Sequence, residues 1–341
     1  MLLILVALTI AVNIAKAAEP LELPVGDTKV FSLSFSADGK HLAVGTGGQK
    51  PSVKLFDVAA KKELLDLPCE RRGAGFSVAF SPDGKRLAIA DYDLAVTVRN
   101  SSDGSEVASL PGDPERKKYR QARRIAFLPD NQSLVVGYST GEVYVWDTVN
   151  KQVTTKFDHG NEITAVAVSS DGRRIATGTG WGLRIWDAAD GKAAVSLDQK
   201  SSGTHDVRAI AFLPDNKSVV TADSPGYVRF FAARDGKELR SFKMPSVGGS
   251  TTVHGLGVSV DGKFVVVPGL VAGQNPKRPQ SLNEGILLLD VALARPHSFI
   301  ATVPARVFAL SSDGKTVAIA TGDSGDPVFV YKLNTATTLK P

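Results

Sequence analysis

The chain has 341 residues, of which 40 are basic and 35 acidic, so its net charge is only +5. This mild excess does not by itself predict binding to nucleic acid. The single cysteine, Cys69, excludes a disulfide within the chain. An apolar fraction of 43% with few aromatic residues is typical of a soluble protein rich in β-structure.

The first 17 residues differ in kind from the rest of the chain. Residues 1–14 are almost wholly apolar, and small residues follow at Ala15 and Ala17. The apolar run is shorter than the about 20 residues that span a membrane, and the small residues match a signal-peptidase site. We predict a signal peptide over residues 1–17 and a mature protein over 18–341 that is periplasmic or secreted. A retained N-terminal membrane anchor is the alternative.

One short pattern recurs through the rest of the chain: a strand end, a tight turn built on aspartate, and a new strand. In residues 80–87 it is Phe-Ser-Pro-Asp-Gly-Lys-Arg-Leu. Proline and aspartate favour such a turn, and glycine takes the left-handed conformation that closes the hairpin. Asn131 and Asn216 replace this glycine in two copies, and asparagine tolerates the conformation best after glycine. The turn aspartates are Asp38, Asp83, Asp130, Asp171, Asp215, Asp261 and Asp313.

The spacing of these aspartates predicts the fold. Successive copies lie 41 to 52 residues apart, and each unit holds four strand-like segments. Repeats of about 40–45 residues with four strands are typical of β-propellers. We therefore predict an all-β fold, a single seven-bladed β-propeller of four-stranded antiparallel blades.

The two ends of the repeat predict how the ring closes. Residues 21–23 form a strand-like segment before the first complete unit, whereas the last unit has no fourth strand after residues 328–333. An unpaired strand at the edge of a sheet invites aggregation, and closure removes it. We predict that the N-terminal strand pairs beside residues 328–330 and closes the ring.

Two third strands end in Trp-Asp, and with the repeated turn and its spacing they resemble the WD-repeat propeller family. The resemblance covers nearly the whole mature chain, which is identified as an exported bacterial member with degenerate repeats. Each blade of this family is stabilised by a polar set of His, Ser or Thr, Asp and Trp. The resemblance implies structural roles for His159, Thr177, Trp186, Trp146 and Asp147.

The same resemblance implies a rigid disc that holds protein or peptide partners. We predict a non-enzymatic, monomeric interaction scaffold with no cofactor, no metal site, no nucleic acid partner and no membrane span after signal removal. Residues 322–326 are similar to the sequence around a trypsin-like serine nucleophile, but no histidine lies in a matching context. Two alternatives stay open: a propeller that binds a small ligand or cell-wall fragment, and a propeller hydrolase or lyase.

The prediction of a binding face rests on two kinds of loop. In this family, the loops between units share one face with those between second and third strands. The two conspicuous enlargements, residues 111–122 (continuing into Arg123 and Arg124) and 270–285, both belong there. Because loops on a rigid scaffold commonly carry binding residues, we predict that an acidic partner binds this face. The predicted contact residues are Arg71, Arg72, Lys117, Lys118, Tyr119, Arg120, Trp181, Lys277 and Arg278.

Overall fold

The structure, a computed structural model, is built from β-strands joined by turns and loops. Within the part of the chain that it describes, no helix is long and apolar enough to cross a membrane. The described residues are 14–15, 19–48, 50–69, 77–91, 96–110, 121–198, 206–224, 226–244, 253, 255–272 and 282–333.

The hairpins form at the aspartate turns, where the sequence predicts them. In the second unit Ser81 Oγ donates to Asp83 Oδ1 over 2.6 Å, and the Gly84 N–H donates to the Ser81 carbonyl over 2.8 Å. Gly84 has a φ of +72°, in the left-handed region where a side chain is strained. Asn131 and Asn216 adopt the same region, with φ of 61° and 56°. The predicted asparagine replacements are therefore confirmed.

The strands of the first four blades follow the repeat. Blade 1 contains β3 (Lys29–Phe35), β4 (His41–Gly47), β5 (Ser52–Asp57) and β6 (Lys62–Pro68). Blade 2 contains β7 (Ser77–Phe80), β8 (Arg86–Ala90), β9 (Val96–Asn100) and β10 (Glu106–Leu110). Blade 3 contains β11 (Ala122–Phe127), β12 (Ser133–Tyr138), β13 (Glu142–Asp147) and β14 (Gln152–Asp158). Blade 4 contains β15 (Ala165–Val168), β16 (Arg174–Thr179), β17 (Gly182–Asp187) and β18 (Ala193–Asp198).

The last three blades complete the ring. Blade 5 contains β19 (Asp206–Phe212), β20 (Ser218–Ser224), β21 (Tyr227–Ala232) and β22 (Glu238–Lys243). Blade 6 contains β23 (Gly257–Val258), β24 (Phe264–Ala272), β25 (Leu282–Asp290) and β26 (Arg295–Ala301). Blade 7 contains β27 (Val307–Leu310), β28 (Thr316–Ala320), β29 (Val328–Lys332) and the N-terminal strand β2 (Leu21–Leu23). The predicted seven-bladed fold is confirmed.

Blade 7 is assembled from both ends of the chain. β2 pairs antiparallel with β29, with Leu21 opposite Val330 and Leu23 opposite Val328. This is the pairing that the sequence predicts. The innermost strands β3, β7, β11, β15, β19, β23 and β27 contact one another in a closed circle around a central channel.

The hydrophobic core lies between the blades. Seven clusters of buried side chains each join two neighbouring blades, and together they run around the whole ring. One of them packs Leu23 of the closing strand with Phe56 of blade 1 and Val330 of blade 7. Because each blade buries apolar surface against the next, the ring is stabilised as a unit.

A further strand lies at the outer edge of blade 6. β1 (Ile14–Ala15) pairs in parallel with β26, with Ile14 opposite Phe299 and Ala15 opposite Ile300. Both residues of β1 fall within the predicted signal peptide. This pairing does not test cleavage after Ala17, which stays a prediction.

The two ends of the ring carry different connections. We call the end formed by the aspartate turns and by the turns between third and fourth strands the turn face. The opposite end, formed by the connections between blades and between second and third strands, is the loop face. Each innermost strand ends at an aspartate turn and therefore runs from the loop face to the turn face. Its first residues surround the mouth of the channel on the loop face.

Candidate functional site

Most of the predicted partner contacts fall outside the described residues. These are Arg71, Arg72, Lys117, Lys118, Tyr119, Arg120, Lys277 and Arg278. Trp181 is described and lies on the loop face, between β16 and β17. Its side chain is 59% exposed, and its backbone N–H donates to Thr179 Oγ1 over 3.1 Å. The turn is therefore held from within while the indole faces solvent.

The loop that carries Trp181 lies beside the channel mouth. A Cβ added at Gly180 would lie 3.9 Å from Asp206 Oδ1, at the start of the innermost strand of blade 5. The carboxylate of Asp206 forms an ion pair with Arg208. The turn that carries the exposed tryptophan therefore lies beside a charged pair at the start of β19.

The channel contains a cavity of about 410 Å³ on this side of the ring. Three arginines line it: Arg124 on β11, Arg208 on β19 and Arg306 just before β27. They come from blades 3, 5 and 7 and are all exposed to the channel space. Because arginine binds carboxylate and phosphate groups through two parallel hydrogen bonds, this arrangement suits an anionic group.

The electrostatics of the mouth are unfavourable for the arginines themselves. Arg124 Nη1 donates to the Arg123 carbonyl over 2.8 Å. The surrounding channel walls desolvate Arg124 and lower its pKa, and the charges of Arg123 and Arg208 lower this pKa further, whereas Glu162 raises it. Glu162 Oε1 lies 2.9 Å from Arg123 Nε. Since arginine stays protonated at neutral pH, the mouth keeps several like charges close together.

Hydrogen bonds between innermost strands fix the wall that carries these groups. Ser32 Oγ accepts from the Val78 N–H of the next blade over 3.0 Å. Ser77 Oγ accepts from the Ile125 N–H over 3.3 Å, beside Arg124. The wall is therefore rigid from blade 1 to blade 3, which suits a preformed binding site.

The sequence held a signal for the channel arginines that the motif analysis did not use. Arg123, Arg208 and Arg306 each lie seven residues before the turn aspartate of their unit. Arg123 and Arg124 were noted only as a continuation of a loop, and Arg208 and Arg306 were missed. Alignment of the units on their aspartates places Arg208 and Arg306 in one column with Arg123, and Arg124 lies one residue after that column.

The structure brings together three residues to which the resemblance assigned structural roles. His159 Nδ1 lies 2.8 Å from Thr177 Oγ1, and the Trp186 Nε1–H donates to the same oxygen over 2.8 Å. All three side chains are buried. They link the connection before blade 4 to the second and third strands of that blade.

Blade 3 lacks the equivalent arrangement. Trp146 is fully buried, but its indole N–H has no hydrogen-bond partner among the described residues. The position equivalent to Thr177 is Val136, which carries no oxygen. Asp147 caps the following turn, where Oδ1 accepts from the Asn150 N–H over 2.9 Å, and hydrogen bonds from Asn150 lower the pKa of Asp147.

Other candidate groups have ordinary local roles. Burial raises the pKa of the Cys69 thiol to about 12, which keeps it protonated and unreactive. In the loop similar to a serine-protease motif, Asp326 Oδ2 accepts from Thr321 Oγ1 over 2.6 Å, so this carboxylate orders the loop. No group of three His, Cys, Asp or Glu side chains in the described ranges is placed to hold a metal ion.

Comparison with known proteins supports the assignment of the fold. Residues 111–252 match a β-propeller family described as nucleolar protein 10-like, N-terminal domain. The chain is 26% identical over 322 residues to telomerase protein component 1 of Rattus norvegicus, which covers 94% of this chain and 11% of the relative. It is 29% identical over 175 residues to guanine nucleotide-binding protein subunit beta of Oryza sativa subsp. japonica, with 48% of this chain and 46% of the relative covered.

Another relative has a higher sequence identity to this chain, but over a shorter segment. Pre-mRNA-processing factor 19 homolog 2 of Arabidopsis thaliana is 37% identical over 87 residues, which covers 25% of this chain and 16% of the relative. The chain therefore spans less than half the length of each of these three relatives. All three are eukaryotic, so they do not support the predicted bacterial origin. The seven four-stranded blades and the repeated aspartate turn make the chain a β-propeller, and these similarities support its resemblance to the WD-repeat β-propeller family.

Proposed function

We propose that this propeller is a non-enzymatic, monomeric scaffold whose loop face binds a protein partner through an acidic segment. The observation that carries the proposal is the asymmetry between the faces. The loop face presents the exposed Trp181 beside an arginine-lined channel mouth, whereas the turn face repeats one aspartate hairpin from blade to blade. Tryptophan and arginine are the residues that most often dominate binding energy at protein interfaces.

The names of two relatives agree with such a role. One is a component of telomerase and another is a subunit of a guanine nucleotide-binding protein, so both names describe parts of larger assemblies. The basic residues predicted on the loop face, among them Lys117, Lys118 and Arg120, favour an acidic partner. Positive groups steer and orient an acidic segment, and they repel a basic one.

The matched test compares an exposed apolar side chain on each face. Trp181→Ala should weaken binding of the partner recovered with the wild-type protein by about tenfold or more, as expected for an interface anchor. Val260→Ala, in the aspartate turn of blade 6 and 63% exposed in the native chain, should leave binding unchanged. Equal effects of the two changes, or no effect of Trp181→Ala, would show that the loop face is not the site.

A second variant tests the predicted basic loop. Lys117, Lys118 and Arg120 lie outside the described residues, but their charges are given by the sequence. Their joint replacement by glutamate should weaken binding most at low salt, because salt screens exposed charges. The effect of Trp181→Ala should depend little on salt. A triple variant that binds as tightly as wild type at low salt would remove this loop from the interface.

We further propose that the protein is exported, with cleavage after Ala17 and a mature chain that acts in the periplasm or outside the cell. The apolar run of residues 1–14 and the small residues that follow support this. Mass spectrometry of the protein purified from its native host should find Ala18 at the N-terminus. Recovery of Met1 in a membrane fraction would instead support a retained anchor.

A further inference from the structure

We infer that the arginine-lined mouth of the channel binds a compact polyanion, a small molecule that carries two or more phosphate or carboxylate groups. The site goes beyond the proposed scaffold function and does not depend on it. Arg124, Arg208 and Arg306 reach the same cavity from three separate blades. A ligand that meets all three must therefore present negative charge in more than one direction.

Carboxylates of the protein neutralise only some of the positive charges at the channel mouth. Asp206 pairs with Arg208, and Glu162 pairs with Arg123. Across the described part of the chain, no carboxylate forms an ion pair with Arg124 or Arg306. Like charges without counter-charges are unfavourable in a partly enclosed space, and a bound anion would relieve this repulsion.

The space around Arg306 is kept open by a glycine. A Cβ added at Gly322 would lie 3.1 Å from Arg306 Cδ, and Gly322 has a φ of +83°. A side chain at this position is therefore both crowded and strained. The bare backbone lets the stem of Arg306 lie against the loop, and Arg306 lines the cavity.

Size and enclosure favour a small molecule over a peptide. The cavity of about 410 Å³ lies in the range of small-molecule sites. Its walls are the innermost strands, with Val78, Ile210 and Phe308 among the apolar lining. A closed ring of strands surrounds the cavity, so it accepts a compact group more readily than an extended chain. Arginine recognises phosphate and carboxylate alike, and the experiment separates the two.

The direct test is titration calorimetry of the purified full-length chain with inorganic triphosphate, pyrophosphate, monophosphate and citrate. Affinity should rise with the number of phosphate groups, and a tighter response to citrate than to triphosphate would assign a polycarboxylate. Arg124→Gln and Arg306→Gln should each weaken triphosphate binding about tenfold, the loss expected for one charge-assisted contact. Arg234→Gln is the matched control, since Arg234 is exposed on the turn face and also comes from blade 5.

A second measurement uses only the wild-type protein, so its outcome does not depend on whether the variants fold. Phenylglyoxal modifies accessible arginines, and mass spectrometry locates the modified residues. Triphosphate should protect Arg124, Arg208 and Arg306 from modification and leave Arg234 unprotected. Equal protection of Arg234 would indicate non-specific charge binding and overturn the inference.

Three results separate this site from the scaffold function. Trp181→Ala should bind triphosphate like wild type, even where it has lost its protein partner. Equal affinity for monophosphate and triphosphate would overturn the inference of a polyanion. A hexaglutamate peptide that binds more tightly than every small probe, and is displaced by none of them, would assign the mouth to an acidic peptide instead.

Discussion

The turn face and the channel mouth use charge in opposite ways. On the turn face, the turn aspartates accept hydrogen bonds from their own hairpin. In five of the seven units a serine hydroxyl donates to the turn aspartate two residues later. These pairs are Ser36–Asp38, Ser81–Asp83, Ser169–Asp171, Ser259–Asp261 and Ser311–Asp313.

The channel mouth brings together like charges from different blades. Arg124 lies near Arg123 and Arg208, and desolvation by the channel walls together with these neighbouring charges lowers its pKa. Hydrogen-bonded aspartates stabilise the hairpins, whereas the neighbouring positive charges at the mouth repel one another. Groups held in unfavourable surroundings concentrate at functional sites, so this difference agrees with the binding role proposed above for the loop face.

The largest expected effect comes from the closing strand, on which both regions depend. Leu23→Ala should lower the free energy of unfolding by about 3 kcal/mol, since a fully buried leucine is replaced by a cavity between blades 7 and 1. Urea unfolding measures it, and anion binding at the mouth should weaken in parallel. Glu22→Ala, an exposed position on the same strand, should change stability by less than about 0.5 kcal/mol. Similar losses for the two variants would contradict this account of closure.

The next largest effect is a loss of stability from a substitution on the turn face, which should leave the channel mouth unchanged. Ser169 Oγ donates to Asp171 over 2.6 Å and accepts from the Arg174 N–H over 2.9 Å. Ser169→Ala removes both bonds at a buried position and should cost about 1–2 kcal/mol in urea unfolding. Triphosphate affinity should not change. Ser102→Ala, at an exposed turn position in blade 2, is the control, and an equal loss there would contradict the prediction.

At the channel mouth, in contrast, we expect a substitution to raise the free energy of unfolding. Arg124→Met removes a charge that its neighbours disfavour and keeps most of the apolar stem. We expect a gain of about 0.5 kcal/mol in unfolding free energy, a small figure because channel water screens the charges. The same variant should bind triphosphate less well. A loss of stability larger than that of Arg234→Met would mean that Arg124 serves folding.

The smallest effect is the pH dependence of the turns. A hydrogen bond from Ser169 and one from the Arg173 backbone lower the pKa of Asp171 in the folded state. A lowered folded-state pKa means that the stabilisation is complete above the unfolded-state pKa and is lost as pH falls through the folded value. Unfolding free energy should therefore decline between about pH 5 and pH 3. Asp171→Asn should make this decline shallower, and an unchanged slope would contradict the prediction.

The sequence predicts the ring better than the site. Each aspartate turn is local chemistry, and residues such as Gly84 or Asn131 report backbone conformation directly, so the number of blades and the closure by β2 could be inferred. The composition of the channel mouth, in contrast, depends on how the blades curve into a ring. Arg124 and Arg306 are 182 residues apart in the chain and share one cavity because seven blades bend the chain into a circle.

Register shifts in the strand pairing make the channel arginines still harder to predict from the sequence. The pairing of β11 with β12 shifts register between Ala122 and Arg124, and that of β19 with β20 shifts between Val207 and Ala209. A bulge redirects side chains, so strict alternation along the strand does not predict that Arg208 lines the channel. For Trp181, in contrast, a tight turn between two glycines already indicated exposure.

The pairing of Leu23 with Val328 also sets the order of events when the protein is made. The two residues lie 305 positions apart, and closing so long a loop carries a large entropic cost and slows folding. Blades 1 to 6 can form while the ribosome is still at work, but the ring cannot close before residue 330 has emerged. Until then β2 has no partner. A chain in this state remains a substrate for chaperones.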